Sequence, residues 1–246
     1  MNLSFYSAVS GASAQMQHMN VTANNISNVN TYGYKADVAG FANLMYGYFL
    51  GAEEEMSYRG AGTMVVEASV NYQQGSLAET GRVFDFAIEG DGFFALYDPQ
   101  TEEITFTRDG SFVMSDSTLD GEGTIGWRLS DNSGRFVVNA DGNFIDIDPA
   151  ADSLSHTVNS LNIGVFDFVI RDGISRNGPS GFMNIEKNGD IQFGTGSLVQ
   201  GYLETSNVDL AKEMSKVIEA QRLYSYANKM ITTSDEIEQT INSLKG

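Results

Sequence analysis

Residues 5–35 read "FYSAVSGASAQMQHMNVTANNISNVNTYGYK", and the Lys35 that closes this stretch is the first charged side chain of a 246-residue chain. Phe5, Val9, Ala12, Met16, Met19, Ala23 and Ile26 fall at alternating spacings of four and three, the a/d pattern of a helix with one apolar seam. The other faces carry Ser, Gln, Asn, Thr and Gly11, which are mediocre helix formers. A helix exposed to water usually places Glu and Lys there in i,i+4 pairs, and a membrane helix places Leu and Ile. An ordinary core helix with polar flanks explains the seam. A helix buried on several sides among copies of itself also explains the absent charge, because hydroxyls and amides can pair across a contact where an unpaired charge is costly.

The opposite end, "SNVDLAKEMSKVIEAQRLYSYANKMITTSDEIEQTINSLKG", opens on a helix-entry signal with Ser206, Asn207 or Asp209 as the cap. Leu210, Met214, Val217, Gln221, Tyr224, Asn228 and Ile231 repeat the four-three spacing. After a phase slip near Thr233, of the kind a stammer produces, Ile237, Ile241 and Leu244 resume it. Two long amphipathic helices at opposite ends most simply pack together, with Gln221 and Asn228 buried and setting the register at some cost in stability. Poor intrinsic helicity in the first makes the isolated pair marginal.

Between them, from about residue 76, the pattern becomes period two. Phe84, Phe86 and Ile88 alternate, as do Ile104 and Phe106, and Leu161, Ile163 and Val165. Asp91-Gly92, Asp109-Gly110, Asp120-Gly121, Asp141-Gly142 and Asn188-Gly189 supply the positive-φ pairs of tight turns, and "FMNIEKNGDIQF" reads as one hairpin. The expectation is an α+β chain: a discontinuous, coiled-coil-like domain of terminal helices (residues 1–35 and 205–246) flanking an antiparallel β-rich domain (76–204) with an aromatic core. Residues 36–75 read as an extended connector with some pairing, whose Glu53-Glu54-Glu55 run is a solvated loop.

Charge follows the same division. Of the net −18, residues 1–50 contribute zero and residues 200–246 contribute −2, so −16 lies between them. That balance argues against nucleic acid. No apolar run reaches membrane-span length, and no basic patch followed by an apolar stretch marks a cleaved secretory signal. The absence of cysteine removes disulfides and thiolate chemistry. Asp141, Asn143, Asp146, Asp148 and Asp152 lack the spacing of a calcium loop, and His18 and His156 have no ligand-spaced neighbour. No nucleophile elbow or phosphate loop appears, so neither an enzyme nor a cofactor is expected. An acid-base pair in a pocket would favour a hydrolase instead, and glycan binding through Trp127 would favour an adhesive β domain.

Four motifs carry a resemblance. "ANNISNVNTYGYK" (Asn24, Asn25, Asn28, Asn30, Thr31, Gly33, Tyr34 and Lys35), "QQGSLAETGRVFDFAIEGDGFF", "TRDGSF", and "VQGYLETSNVDLAKEM" with "AQRLYSYANKMITTSDE" occur in the order seen in the bacterial flagellar axial family of rod and hook proteins. The resemblance implies terminal helices that stack helically around a channel, an outward β domain, and a homopolymeric, torque-transmitting shaft that passes exported subunits. It implies neighbouring rod and hook proteins, the flagellar type III export apparatus and basal-body ring bushings as partners. It also implies a place in the basal body outside the cytoplasmic membrane, in the periplasm or cell-wall zone. Length, "GDGFF", "TRDGSF" and "SNVDL" favour the distal-rod type or its near relative. A short stretch at 46–62 keeps a short hook-like identity open, and Tyr32 stands where many relatives have proline, which leaves the turn to Gly33.

Overall fold

Helix α1 (Leu3–Ser27) and helix α2 (Leu210–Ser243) occupy the two ends of the chain, with β structure between them. The structure, a computed structural model, describes residues 3–44, 47–50, 56–59, 62–118, 125–147, 161–171 and 174–244. The chain divides into two units: Met1–Ser27 with Asp37–Asn71 and Asp209–Gly246, and Asn28–Ala36 with Tyr72–Val208.

In the first unit α1 packs against α2 and against a two-stranded ribbon of β1 (Asp37–Asn43) and β4 (Thr63–Val70). These strands pair antiparallel from Asp37 opposite Val70 to Asn43 opposite Thr63, with a register shift between Ala39 and Phe41. Inside the ribbon, β2 (Gly47–Leu50) pairs with β3 (Met56–Arg59). The Glu53–Glu55 run and Asp120-Gly121 lie outside the described residues. Asp209 caps α2, its carboxylate accepting from the backbone N–H groups of Ala211 and Lys212 at 3.1 and 3.2 Å. The helix runs unbroken through Thr232 and Thr233.

The second unit is antiparallel throughout. It holds β5 (Leu77–Glu79), β6 (Phe86–Glu89), β7 (Phe93–Tyr97), β8 (Ile104–Thr107), β9 (Val113–Thr118), β10 (Ile125–Ser130), β11 (Phe136–Val137), β12 (Asp146–Ile147), β13 (Val165–Phe168), β14 (Ser175–Asn177), β15 (Gly181–Met183), β16 (Ile191–Phe193), β17 (Ser197–Gln200) and β18 (Tyr202–Glu204). The main sheet runs β12-β10-β11-β7-β8-β15-β14, with β9 on β10 and with β13 joining β7 to β16. Two separate ribbons, β6 with β17 and β5 with β18, bring the last strands of the unit back to its first.

Strand β7 is covered on both faces, which its sequence Phe-Phe-Ala-Leu allows because successive side chains point opposite ways. Phe94 and Leu96 join Phe86, Ile88, Phe112 and Leu129 in one core. On the opposite face Phe93 meets Phe168, Phe182 and Tyr72 with ring centroids 5.3–6.1 Å apart. The core is aromatic mainly through Phe.

Two local expectations fail. "FMNIEKNGDIQF" is not a hairpin: β15 pairs with β14 and β8, and β16 pairs with β13. A 3₁₀ turn at Glu186–Asn188 parts the strands, and buried Asn188 stitches it by accepting from the Ile185 N–H at 3.1 Å and donating to the Ile170 carbonyl at 2.8 Å. Gly110 is not a positive-φ turn residue either. It is glycine because a Cβ there would stand 1.8 Å from the Phe86 carbonyl oxygen.

Candidate functional site

The expected assembly residues lie on the two terminal helices, and the helices bury a different stripe. On α1 the buried side chains are Ala12, Ala14, Thr22 and Asn25. Phe5, Met19 and Ile26 are half-buried, whereas Val9, Met16 and Ala23 are exposed. On α2 the covered positions are Glu213, Val217, Ala220, Tyr224, Ala227, Ile231 and Ser234, again at four-three spacing. Val217, Tyr224 and Ile231 of the expected seam belong to it. Leu210, Met214, Ile237, Ile241 and Leu244 are exposed, and so are Gln221 and Asn228, which were expected to be buried. The reason is that α2 carries a second seam offset from the apolar one, and small residues on it let the helices approach. The apolar stripe is left outward: Met214, Ile218, Tyr226 and Met230 are 51%, 53%, 60% and 56% exposed. Leu210, Leu223, Ile237 and Ile241 are exposed on the same helix and Leu244 at its cap, and apolar surface gathered in this way marks an interaction site.

The asparagine-rich signature has separate tasks. Asn25 is a clamp at the end of α1. Its amide donates to the Asp37 carbonyl at 2.8 Å and to Glu213 Oε2 at 3.2 Å, and its carbonyl accepts from the Asp37 N–H at 2.9 Å. Glu213 in turn meets Lys216 Nζ at 2.5 Å. One side chain thus joins the helix end, the first strand and α2 within the first unit. Asn24 and Asn30 are exposed.

The remainder of the signature belongs to the second unit. Asn28 accepts from the Thr31 N–H at 3.1 Å and the Thr31 hydroxyl at 3.2 Å, shaping the turn. Gly33 follows with φ +66°, and a Cβ there would meet the Asp109 nitrogen at 2.3 Å, so glycine is required on both counts. Tyr34 is buried under the Arg176 guanidinium, 4.7 Å above its ring.

Lys35 then enters a buried ion cluster that sequence reasoning missed. Its Nζ donates to Glu204 Oε1 at 2.6 Å and to the Gln73 carbonyl at 2.8 Å. Arg108 Nη1 donates to Glu204 Oε2 at 3.2 Å, and its Nη2 to the Gly90 carbonyl at 2.8 Å, with its charge 5.3 Å above the Phe93 ring. All three side chains are at most 3% exposed. Burial lowers the Lys35 and Arg108 pKa values, with the Glu204 carboxylate pulling them back up. These residues come from "TYGYK", "QQG", "TRDG" and "GYLE", so all four motifs meet here. Two signals were available: Lys35 is the lone Lys or Arg of the first 50 residues, and Glu204 ends a run, 191–203, that carries no charged residue.

The histidine and acidic readings resolve locally. The His18 ring stands edge-on to Phe41 at 5.3 Å. Asn139 Oδ1 accepts from the Asp141 and Asn143 N–H groups at 2.8 and 2.9 Å, and Asp146 pairs with Arg128 at 2.8 Å. Asp148, Asp152 and His156 lie outside the described residues. Among the described residues no cluster of three or more acidic or histidine side chains is placed to hold a metal, and no helix is long and apolar enough to cross a membrane.

Helices with exposed apolar side chains and a β unit built around signature residues fit a class that comparison with known proteins defines. The family description "Flagella basal body rod protein" matches residues 5–35, "Flagellar hook protein FlgE/F/G D1 domain" matches 87–165, and "Flagellar basal body rod FlgEFG protein C-terminal" matches 199–244. The chain belongs to the flagellar basal-body rod protein family. It is 33% identical over 267 residues to the flagellar basal-body rod protein FlgG of Buchnera aphidicola subsp. Schizaphis graminum, covering 98% of this chain and 99% of that one. FlgG of Bacillus subtilis is 31% identical over 272 residues, with 98% of each chain covered. FlgF of Mesorhizobium japonicum is 29% identical over 262 residues, with 99% of each covered. Each alignment is longer than 246 residues, so these relatives contain residues that this chain lacks.

Proposed function

We propose that this chain is a structural, non-catalytic subunit of the flagellar rod that polymerises helically through α1 and α2 into a hollow, torque-transmitting shaft. The observation that carries the reading is the apolar stripe of α2, half or more exposed at Met214, Ile218, Tyr226 and Met230. Copies of the same helices cover that stripe in the polymer. Likeness to rod proteins over nearly the whole chain supports the rod in preference to the hook. The subunit works in the basal body outside the cytoplasmic membrane, in the periplasm or cell-wall zone, after passage through the type III export apparatus. Its neighbours are other rod and hook proteins, with ring bushings around the shaft. The neutral polar face of α1, with Gln15, Asn20 and Asn24, contributes subunit contacts and channel lining, where strong charge or apolar surface would retain passing chains.

Removing residues 1–27 tests this. The cut spares residues 28–36, which belong to the β unit. Polymers visible by electron microscopy should disappear while the near-ultraviolet spectrum of the β unit persists. Polymerisation without α1 would contradict the proposal. Glutamate substituted at Gln15, Asn20 and Asn24 should block assembly or export, and normal filaments from that variant would remove the lining role. Electron microscopy of purified basal bodies, locating the subunit along the axis, separates rod from hook.

A further inference from the structure

We propose that Glu204 is a closing latch: the amino-terminal signature turn and the carboxy-terminal strands of the β unit dock as one event, and Glu204 permits it by presenting one carboxylate oxygen to each of two buried cations. Among the described residues, Glu204 is the only acid in ion-pair contact with Lys35 or Arg108. Asp91 adds only a longer-range attraction and is itself engaged by Arg171 at 3.1 Å. Without Glu204, two cations would have to enter sites at most 3% exposed with no counter-charge beside them, and this strongly disfavours closure.

The backbone is arranged in the same sense. The Gly33 N–H donates to the Glu204 carbonyl at 2.8 Å, and the Ala36 N–H to Asn207 Oδ1 at 2.7 Å. On the other side of the latch, the Gly75 N–H donates to Glu204 Oε1 at 2.8 Å and the Thr205 N–H to the Ser76 carbonyl at 2.9 Å. Residues 33–36 and 73–76 are therefore both bonded to 204–207, in addition to the hold of Arg176 on Tyr34 and the Lys35 carbonyl and of Gln74 on Ile88 and Gly90. The ladder from β7 to β16 is complete without any of these bonds. A chain whose synthesis or emergence has not reached residue 204 can build that ladder, but Lys35 and Arg108 have no counter-charge beside them and the two signature segments lack their bonds to 204–207. Final closure thus reports that the chain is complete almost to α2.

Amide hydrogen exchange on the full-length chain tests this. In the parent protein the Gly33, Gly75 and Thr205 amides should open at one common rate. Glu204→Gln should accelerate all three by at least about tenfold, with amides of β7 and β8 changing less than about threefold. Acceleration at Gly75 alone, the amide bound directly to the carboxylate, would overturn the latch, as would equal acceleration throughout the sheet. If Glu204→Gln does not fold, Lys35→Met keeps the Arg108–Glu204 pair and gives the same reading. Joint acceleration of the three amides supports the latch, and independent rates overturn it.

Discussion

The two units treat their apolar side chains in opposite ways. In the β unit Phe94, Leu96, Phe112, Leu129 and Phe182 are wholly buried. In the helical unit the only apolar side chains buried among the described residues are Ala12, Ala14 and Ala220, while Met16, Met214, Ile218, Tyr226 and Met230 face outward. The helices do not lack apolar residues. They bury alanine, threonine, serine and asparagine fully, cover Val217, Tyr224 and Ile231 only in part, and leave many larger groups exposed. The β unit is thus stabilised by its own core, whereas the helices are only partly stabilised within one chain, which is the expected state of a piece of an assembly.

Substitutions should divide along that line. Phe94→Ala removes a ring from the tightest part of the β core, and unfolding by denaturant should show a loss of about 3–5 kcal/mol. Asn25→Ala removes the two bonds to the half-buried Asp37 backbone and the one to Glu213, which keeps Lys216. A loss of about 1–3 kcal/mol is expected, read as faster amide exchange in α1 and β1 with β7 unchanged. A smaller effect concerns pH. Burial raises the Asp109 carboxyl above its ordinary value of 3.8, with Ser111 opposing. The folded chain therefore holds that proton more tightly than the unfolded one. This contribution is fully present below pH 3.8 and is lost as pH rises through the raised folded value. Asp109→Asn should flatten that part of the stability profile, and an unchanged slope would assign it to other carboxylates. The smallest effect on the isolated chain is expected for Ile218→Ser, within about 0.5 kcal/mol because the side chain is already exposed. The same change should abolish or strongly weaken polymers. A large monomer effect with intact polymers would invert the comparison.

Much of this division could be read from residue spacing. The four-three repeats placed both helices, alternation placed β6 and β8, and Asp209 was among the residues offered for the cap. Long-range pairing was less accessible. Nothing local to 37–43 points to 63–70 as its partner, or to β13 as the partner of β16, because strand pairing depends on tertiary context. The helix seam was half legible for a related reason. Hydropathy marks the face that some partner covers, and here the partner inside the chain took the offset stripe of small residues. The ion cluster was invisible to hydropathy, which places Lys35, Arg108 and Glu204 at the surface. Only the uncharged runs before Lys35 and Glu204 hinted otherwise.

Methionine oxidation by peroxide, read residue by residue with mass spectrometry, tests the central claim most directly. Met16, Met214 and Met230 are exposed in the single chain, while Met114 packs against the β core. The first three should oxidise quickly in the isolated protein and at least about tenfold more slowly once it has polymerised, with Met114 slow in both states. Equal rates for Met16, Met214 and Met230 before and after assembly would contradict the account.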